Sequence, residues 1–196
     1  MSTDAKTTSA TRAGRWLFDA AVALVLVSAV FQLVTAHWEP AVRFVLLALI
    51  ILSARWGNVP AMFAAAFAWL LLLAAWASVQ HWYRDIRPAD EVIHFLTPGS
   101  LAAAAYFVLV HQRMLPAPNE TIGVLRSWAP VLWVTLVGVL AAVLWEFYEW
   151  VVEQLSPKGI LVGYTDTVLD LLAGTLGSLT AGFLVLWWAR HHSYRR

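Results

Sequence analysis

Long apolar runs alternate along the chain with short polar segments. A bilayer core of about 30 Å takes about 20 apolar residues of helix, and lipid offers no partner for a bare peptide group. The runs therefore read as membrane-spanning helices. Six are predicted, over residues 16–36, 41–55, 60–80, 91–110, 128–150 and 164–188. The second is short and carries Arg43 near its start, so a tilted or interfacial helix competes with a full span there. Residues 1–15, rich in Ser, Thr and Ala with three basic residues, are expected to form a disordered cytoplasmic tail. A cleaved signal peptide is the competing reading, but the first apolar run continues to Ala36 without a convincing small-residue cleavage site. Residues 16–190 then form one transmembrane helical domain, and residues 191–196 a basic cytoplasmic tail.

Composition removes the soluble alternatives. Of 196 residues, 61% are apolar and 13% charged, against roughly 45–50% and 25% in soluble domains. Such a chain cannot cover a water-facing surface, which excludes a soluble enzyme, a disordered tail and a nucleic-acid binder. An all-α polytopic membrane bundle remains. There is no cysteine, so disulfides, thiolate chemistry and Cys-ligated metals are excluded.

The net charge of +1 says little, but its placement sets orientation. With the amino terminus inside, nine basic residues fall on the cytoplasmic side: Lys6, Arg12, Arg15, Arg55, Arg113, Arg126, Arg190, Arg195 and Arg196. Four fall outside: Arg43, Arg84, Arg87 and Lys158. This bias places both termini in the cytoplasm.

An acid in or beside a span costs some 2.5 kcal/mol or more unless partnered. Such residues cluster in the last three spans. The fourth begins D-E-V-I-H (Asp90, Glu91, His94), the fifth ends W-E-F-Y-E-W-V-V-E (Glu146, Glu149, Glu153), and the sixth opens Y-T-D-T-V-L-D (Asp166, Asp170). The third ends with Gln80, His81, Tyr83, Arg84 and Asp85, which are expected at the rim. Alternating direction puts all these groups at one depth, in the extracytoplasmic leaflet. Spacings of three or four residues put each pair on one helix face.

The row Asp166, Asp170, Gly174, Ser178, Gly182 advances by four and turns small residues toward neighbouring helices, so its carboxylates point into the bundle. Pro98 has no N–H for the His94 carbonyl, so a kink and a free carbonyl are expected beside His94. Asp90, Glu91, Glu153 and Asp166 could equally be helix-end partners of the dipole. Glu146, His94 and Asp170 lie a turn deeper and are the candidates for chemistry.

Several carboxylates drawn together repel one another, so some must be protonated or a cation must be present. Carboxylates with one imidazole suit Mg²⁺, Mn²⁺, Ca²⁺, Zn²⁺ or iron. Glu91 and His94 also match the Glu-x-x-His spacing of di-metal bundles. The candidate ligands are Asp90, His94, Glu146, Glu149, Asp166 and Asp170, and such an ion could polarise a phosphate or activate water against a lipid headgroup or lipid-linked glycan. Ion or proton-coupled transport is a second reading, although Asp19 and Gln32 alone would continue a path through the first three spans. A non-catalytic membrane subunit is a third.

Three of these segments carry a resemblance: D-E-V-I-H-F (Asp90 to Phe95), W-E-F-Y-E (Trp145 to Glu149) and D-T-V-L-D-L-L-A-G-T-L-G (Asp166 to Gly177). Over roughly residues 85–182 the chain resembles the VanZ-like and YjdF-like group of small bacterial membrane proteins. Glu149 stands where VanZ-like proteins have Gln and Asp170 where they have Asn, and their Pro-x-Arg is absent. The acidic pattern is closer to the YjdF-like branch. The resemblance implies an integral protein of the bacterial cytoplasmic membrane and supports Asp90, His94, Glu146, Glu149, Asp166 and Asp170 as a shared site. It links the VanZ-like branch to low-level glycopeptide resistance and supplies no reaction.

Overall fold

The predicted spans become helices with nearly the predicted limits. The structure, a computed structural model, describes residues 3–86, 88–118, 127–155 and 163–192, with residues 3–10, 84 and 155 described by backbone alone. In chain order the helices are α1 (Thr3–Val34), α2 (Trp38–Trp56), α3 (Ala61–Val79), the single turn α4 (Trp82–Asp85), α5 (Ala89–His111), α6 (Ala129–Leu155) and α7 (Tyr164–His191). There is no strand among the described residues. This is the architecture of a polytopic helical membrane protein.

Among the described residues, five stretches are long and apolar enough to cross a bilayer: Thr11–Val34, Ala61–Val79, Ala89–His111, Ala129–Gln154 and Tyr164–His191. The helix α2, 19 residues long, is more charged, with Glu39 and Arg43 near its start and Arg55 near its end. Its position is nevertheless fixed at both ends. Arg55 pairs with Asp19 in the middle of α1, and Arg43 donates to Ser78 Oγ at the end of α3. The start of α2 thus lies beside the end of α3, and its end beside the middle of α1.

Helix α1 starts at Thr3, so the backbone of residues 3–15 is helical and runs on into the first apolar stretch, Thr11–Val34. The segment contains no proline and several good helix formers (Ala, Lys, Arg). Gly14 is buried against α3, where an added Cβ would lie 2.9 Å from the Ala61 carbonyl carbon. At the other end, α7 runs to His191, and residues 193–196 of the expected basic tail lie outside the described residues. So do Arg87, Arg126 and Lys158 of the charge count.

Burial is inverted relative to a soluble protein. Small residues fill much of the interior, with Ala21, Ala68, Ala77, Ala102 and Ala142 essentially inaccessible, while Val27, Val34, Leu49 and Leu132 face outward. Lipid is as apolar as leucine, so close backbone approach drives association more than removal of leucine from its surroundings.

The closest approach joins α5 to α7. A Cβ at Gly99 would lie 2.6 Å from the Gly177 carbonyl oxygen, and one at Gly174 would lie 2.9 Å from Ala142 Cβ on α6. A Cβ at Gly177 would overlap the Phe95 carbonyl. The row predicted to face inward does so: Asp170, Gly174, Ser178 and Gly182 are all buried. Helix α5 continues through Pro98, and the His94 carbonyl, deprived of that donor, faces the Gly174 position at 3.5 Å from an added Cβ. Glycine contacts thus hold together the helix ends that carry the acids.

Candidate functional site

Asp90 lies in the first turn of α5, where the positive end of the helix favours a carboxylate. One turn on, His94 is buried, with 2% of its surface exposed. Its Nε2 lies 3.3 Å from Asp90 Oδ1 and 4.0 Å from Glu149 Oε1, and its Nδ1 lies 3.7 Å from Glu146 Oε1. The two glutamates descend from α6, three residues apart, so both reach the same neighbour. Asp170 arrives from the second turn of α7 and is 2% exposed.

Two overlapping groups of possible metal ligands result. Asp90, His94 and Asp170 each offer an atom within 4.8 Å of the others, and so do His94, Glu146 and Glu149. One partner is accounted for, Trp145 Nε1 donating to Glu149 Oε1 at 2.9 Å, and Thr167 on α7 neighbours the Glu146 carboxylate. Among the described residues, Asp90 Oδ1, His94 Nε2 and Glu146 Oε1 are buried without a hydrogen bond. The first two form an ion pair at 3.3 Å when the imidazole is protonated. Among the described residues, His94 is the only basic side chain within ion-pair distance of these carboxylates.

Coulomb repulsion between unit charges 4 Å apart is about 4 kcal/mol at an effective dielectric constant near 20. Four carboxylates around one imidazole can therefore coexist only with bound protons or a cation. The donor set, hard oxygens with one nitrogen, fits Mn²⁺, Zn²⁺ or Fe²⁺, and also Mg²⁺ with added waters.

Of the six candidate ligands, the structure brings five together. Asp166 is half-buried one turn nearer the start of α7, within electrostatic range of Asp90 and His94 but outside both groups. Glu91 is exposed. The Glu-x-x-His spacing is therefore not used, and Asp90, four residues before His94, occupies that place. Glu153, also a helix-end acid, is half-buried and outside both groups.

A family described as "Predicted membrane protein (DUF2238)" matches residues 14–192. The chain belongs to this family. The DUF2238 match takes in every helix except the first residues of α1, and all five converging residues fall within it. It establishes a membrane-protein family without singling out the VanZ-like or YjdF-like group. No curated protein and no solved structure matches the chain.

Sequence reasoning missed the other wall of the site. A cavity of about 440 Å³ adjoins Asp90 and Glu149 and reaches across to Arg43, Ser78 and Tyr83. Arg43, read as an interruption of the second span, instead donates through Nε to Glu39 at 3.1 Å and through Nη1 to Ser78 Oγ at 2.6 Å. Tyr83, expected at the rim, donates to the Ala74 carbonyl at 3.1 Å. Burial raises its phenol above the ordinary value, Glu149 and Asp90 add to this, and Arg43 opposes it. The turn that places Tyr83 is made by His81, whose φ of 58° is left-handed without glycine.

Proposed function

We propose that this member of the DUF2238 family is a multi-pass protein of the bacterial cytoplasmic membrane that seats a divalent cation among Asp90, His94, Glu146, Glu149 and Asp170. Through that site it recognises or acts on an envelope lipid headgroup or a lipid-linked glycan. The observation that carries the proposal is the buried imidazole of His94 with carboxylates gathered on both sides of its ring, Asp90 and Asp170 in one possible ligand group and Glu146 and Glu149 in the other, where Asp90 Oδ1, His94 Nε2 and Glu146 Oε1 lack hydrogen bonds. Unpaired buried polar groups cost about 1–3 kcal/mol each, more when charged, and a cation relieves several at once.

The bound ion would supply Lewis acidity toward a phosphate oxygen or a water. The chain's own residues have distinct tasks in this reading. Asp90, Glu149 and Asp170 supply negative charge. His94 would ligate the ion through one ring nitrogen, while a carboxylate facing the other nitrogen fixes its tautomer. Trp145 orients Glu149.

The antiparallel course of α2 supports a sixth crossing beside the five apolar spans, which returns both termini to one side. The bias of basic loop residues makes that side the cytoplasm, and the site then opens to the outer leaflet. The resemblance of the acidic segments to the VanZ-like and YjdF-like group supports the same placement. A transport path finds little support, because Asp19 is exposed and tied to Arg55.

The test is elemental analysis of detergent-purified protein dialysed against Mn²⁺ or Zn²⁺. A stoichiometric metal is expected in the wild type and its loss in His94→Ala and Asp170→Asn. Absence of metal from the wild type, or equal retention in the variants, would reject the cation site.

A further inference from the structure

The cavity beside the carboxylates has walls of two kinds. Leu47, Leu71, Leu101 and Leu144 line it as an apolar chamber between α2, α3, α5 and α6. Its polar end is closed by Arg43, Ser78 and Tyr83 on one side and by Asp90 and Glu149 on the other. At about 440 Å³ it lies within the usual range of ligand cavities. The guanidinium is already oriented, held by Glu39 and by Ser78, and those bonds leave N–H donors unspent.

With a cation among the carboxylates, an ammonium headgroup would meet two positive centres unfavourably, and a neutral lipid would leave the spare guanidinium donors unused. A bare anion would be repelled by Asp90 and Glu149. A phosphate is suited to this position when a cation sits among the carboxylates, for it then lies between two positive centres with its chain along the leucines.

We propose that the chamber is the subsite for a lipid phosphate, with Arg43 as its anion-recognising residue. This rests on the cation reading above, and it adds the substrate class. Two consequences separate the subsite from the metal site. Lipid phosphate and divalent cation must tighten one another's binding, since coupling between sites is reciprocal. Loss of Arg43 must weaken the lipid and leave the metal.

The experiment measures binding of dioleoyl phosphatidate, dioleoylglycerol and inorganic phosphate to the full chain in detergent, with and without Mn²⁺. Phosphatidate is expected to bind more tightly than dioleoylglycerol and to tighten with Mn²⁺. In Arg43→Gln it should weaken by about tenfold or more while metal content is unchanged. Leu47→Trp, which fills the chamber, should weaken phosphatidate and likewise retain metal, so that misfolding is recognised by loss of the metal itself. Equal affinity for phosphatidate and dioleoylglycerol, or an unaffected Arg43→Gln protein with normal metal content, overturns the subsite. Inorganic phosphate binding as well as phosphatidate would also overturn it, because the chamber would then contribute nothing. Phosphatidate binding that Mn²⁺ does not tighten, in a protein that takes up Mn²⁺, would overturn the subsite and leave the cation site standing, whereas a protein that takes up no Mn²⁺ would reject both.

Discussion

Glu146→Gln should affect stability differently with and without a divalent cation. The side chain is 8% exposed and its Oε1 lies 3.7 Å from His94 Nδ1, so solvent screens it weakly. A charge pair at that distance is worth about 4 kcal/mol at an effective dielectric constant near 20. In metal-free protein the substitution removes an attraction to any imidazolium but also the repulsion from Glu149 and Asp170. Glutamine keeps the shape of the side chain and its capacity for hydrogen bonding, so the metal-free variant should match the wild type to within about 1 kcal/mol.

With cation at a hundred times its dissociation constant the wild type gains about 2.7 kcal/mol. At roughly 2–4 °C per kcal/mol for a chain of this length, Tm rises by about 5–10 °C. A tenfold weaker site would gain only about 1.4 kcal/mol, halving the shift. Thermal unfolding in detergent, scanned with chelator and with Mn²⁺, reads both values. An equal Mn²⁺ shift in the two proteins, or a metal-free variant several kcal/mol less stable, would refute this reasoning.

Other consequences concern the scaffold around the site. Gly177→Ala should destabilise by about 1–3 kcal/mol, since its Cβ meets the Phe95 carbonyl; thermal unfolding measures this, and it should also weaken metal retention by moving Asp170 from His94. Tyr83→Phe should cost about 0.5–1.5 kcal/mol by losing its bond to Ala74. Because the folded phenol titrates above its ordinary value of 10.0, its contribution is full below that pH and declines as the pH rises past it. Alkaline denaturation should therefore be shallower in the variant. Reporter fusions after residue 36 and at the carboxyl terminus should read outside and cytoplasmic respectively; the reverse would invert the proposed orientation.

The fold was largely readable because the bilayer imposes a length rule that each apolar run either meets or fails. Convergence of the acids was readable from alternating direction and the three- or four-residue spacing of Asp90 with His94 and Glu146 with Glu149. Spacing alone could not choose Asp90 over Glu91, since offsets of three and four from His94 both lie on one helix face; the way α5 packs on α6 and α7 decides it. Trp145 as the donor to Glu149 was within reach of the same four-residue rule.

Arg43 was not. Its partner Ser78 lies 35 residues away, and no local pattern announces a contact between the start of one helix and the end of another. Tyr83 depends on a left-handed His81, a conformation that even the residue types enriched there adopt only occasionally.

The central claim is that a cation sits against His94 in a pocket of carboxylates. Electron spin echo envelope modulation on the Mn²⁺-loaded chain addresses it directly, because a ligating imidazole imprints nitrogen modulation on the metal signal. That modulation should be present in the wild type and vanish in His94→Gln. A bound Mn²⁺ without nitrogen modulation, or modulation that persists in the variant, would contradict the account.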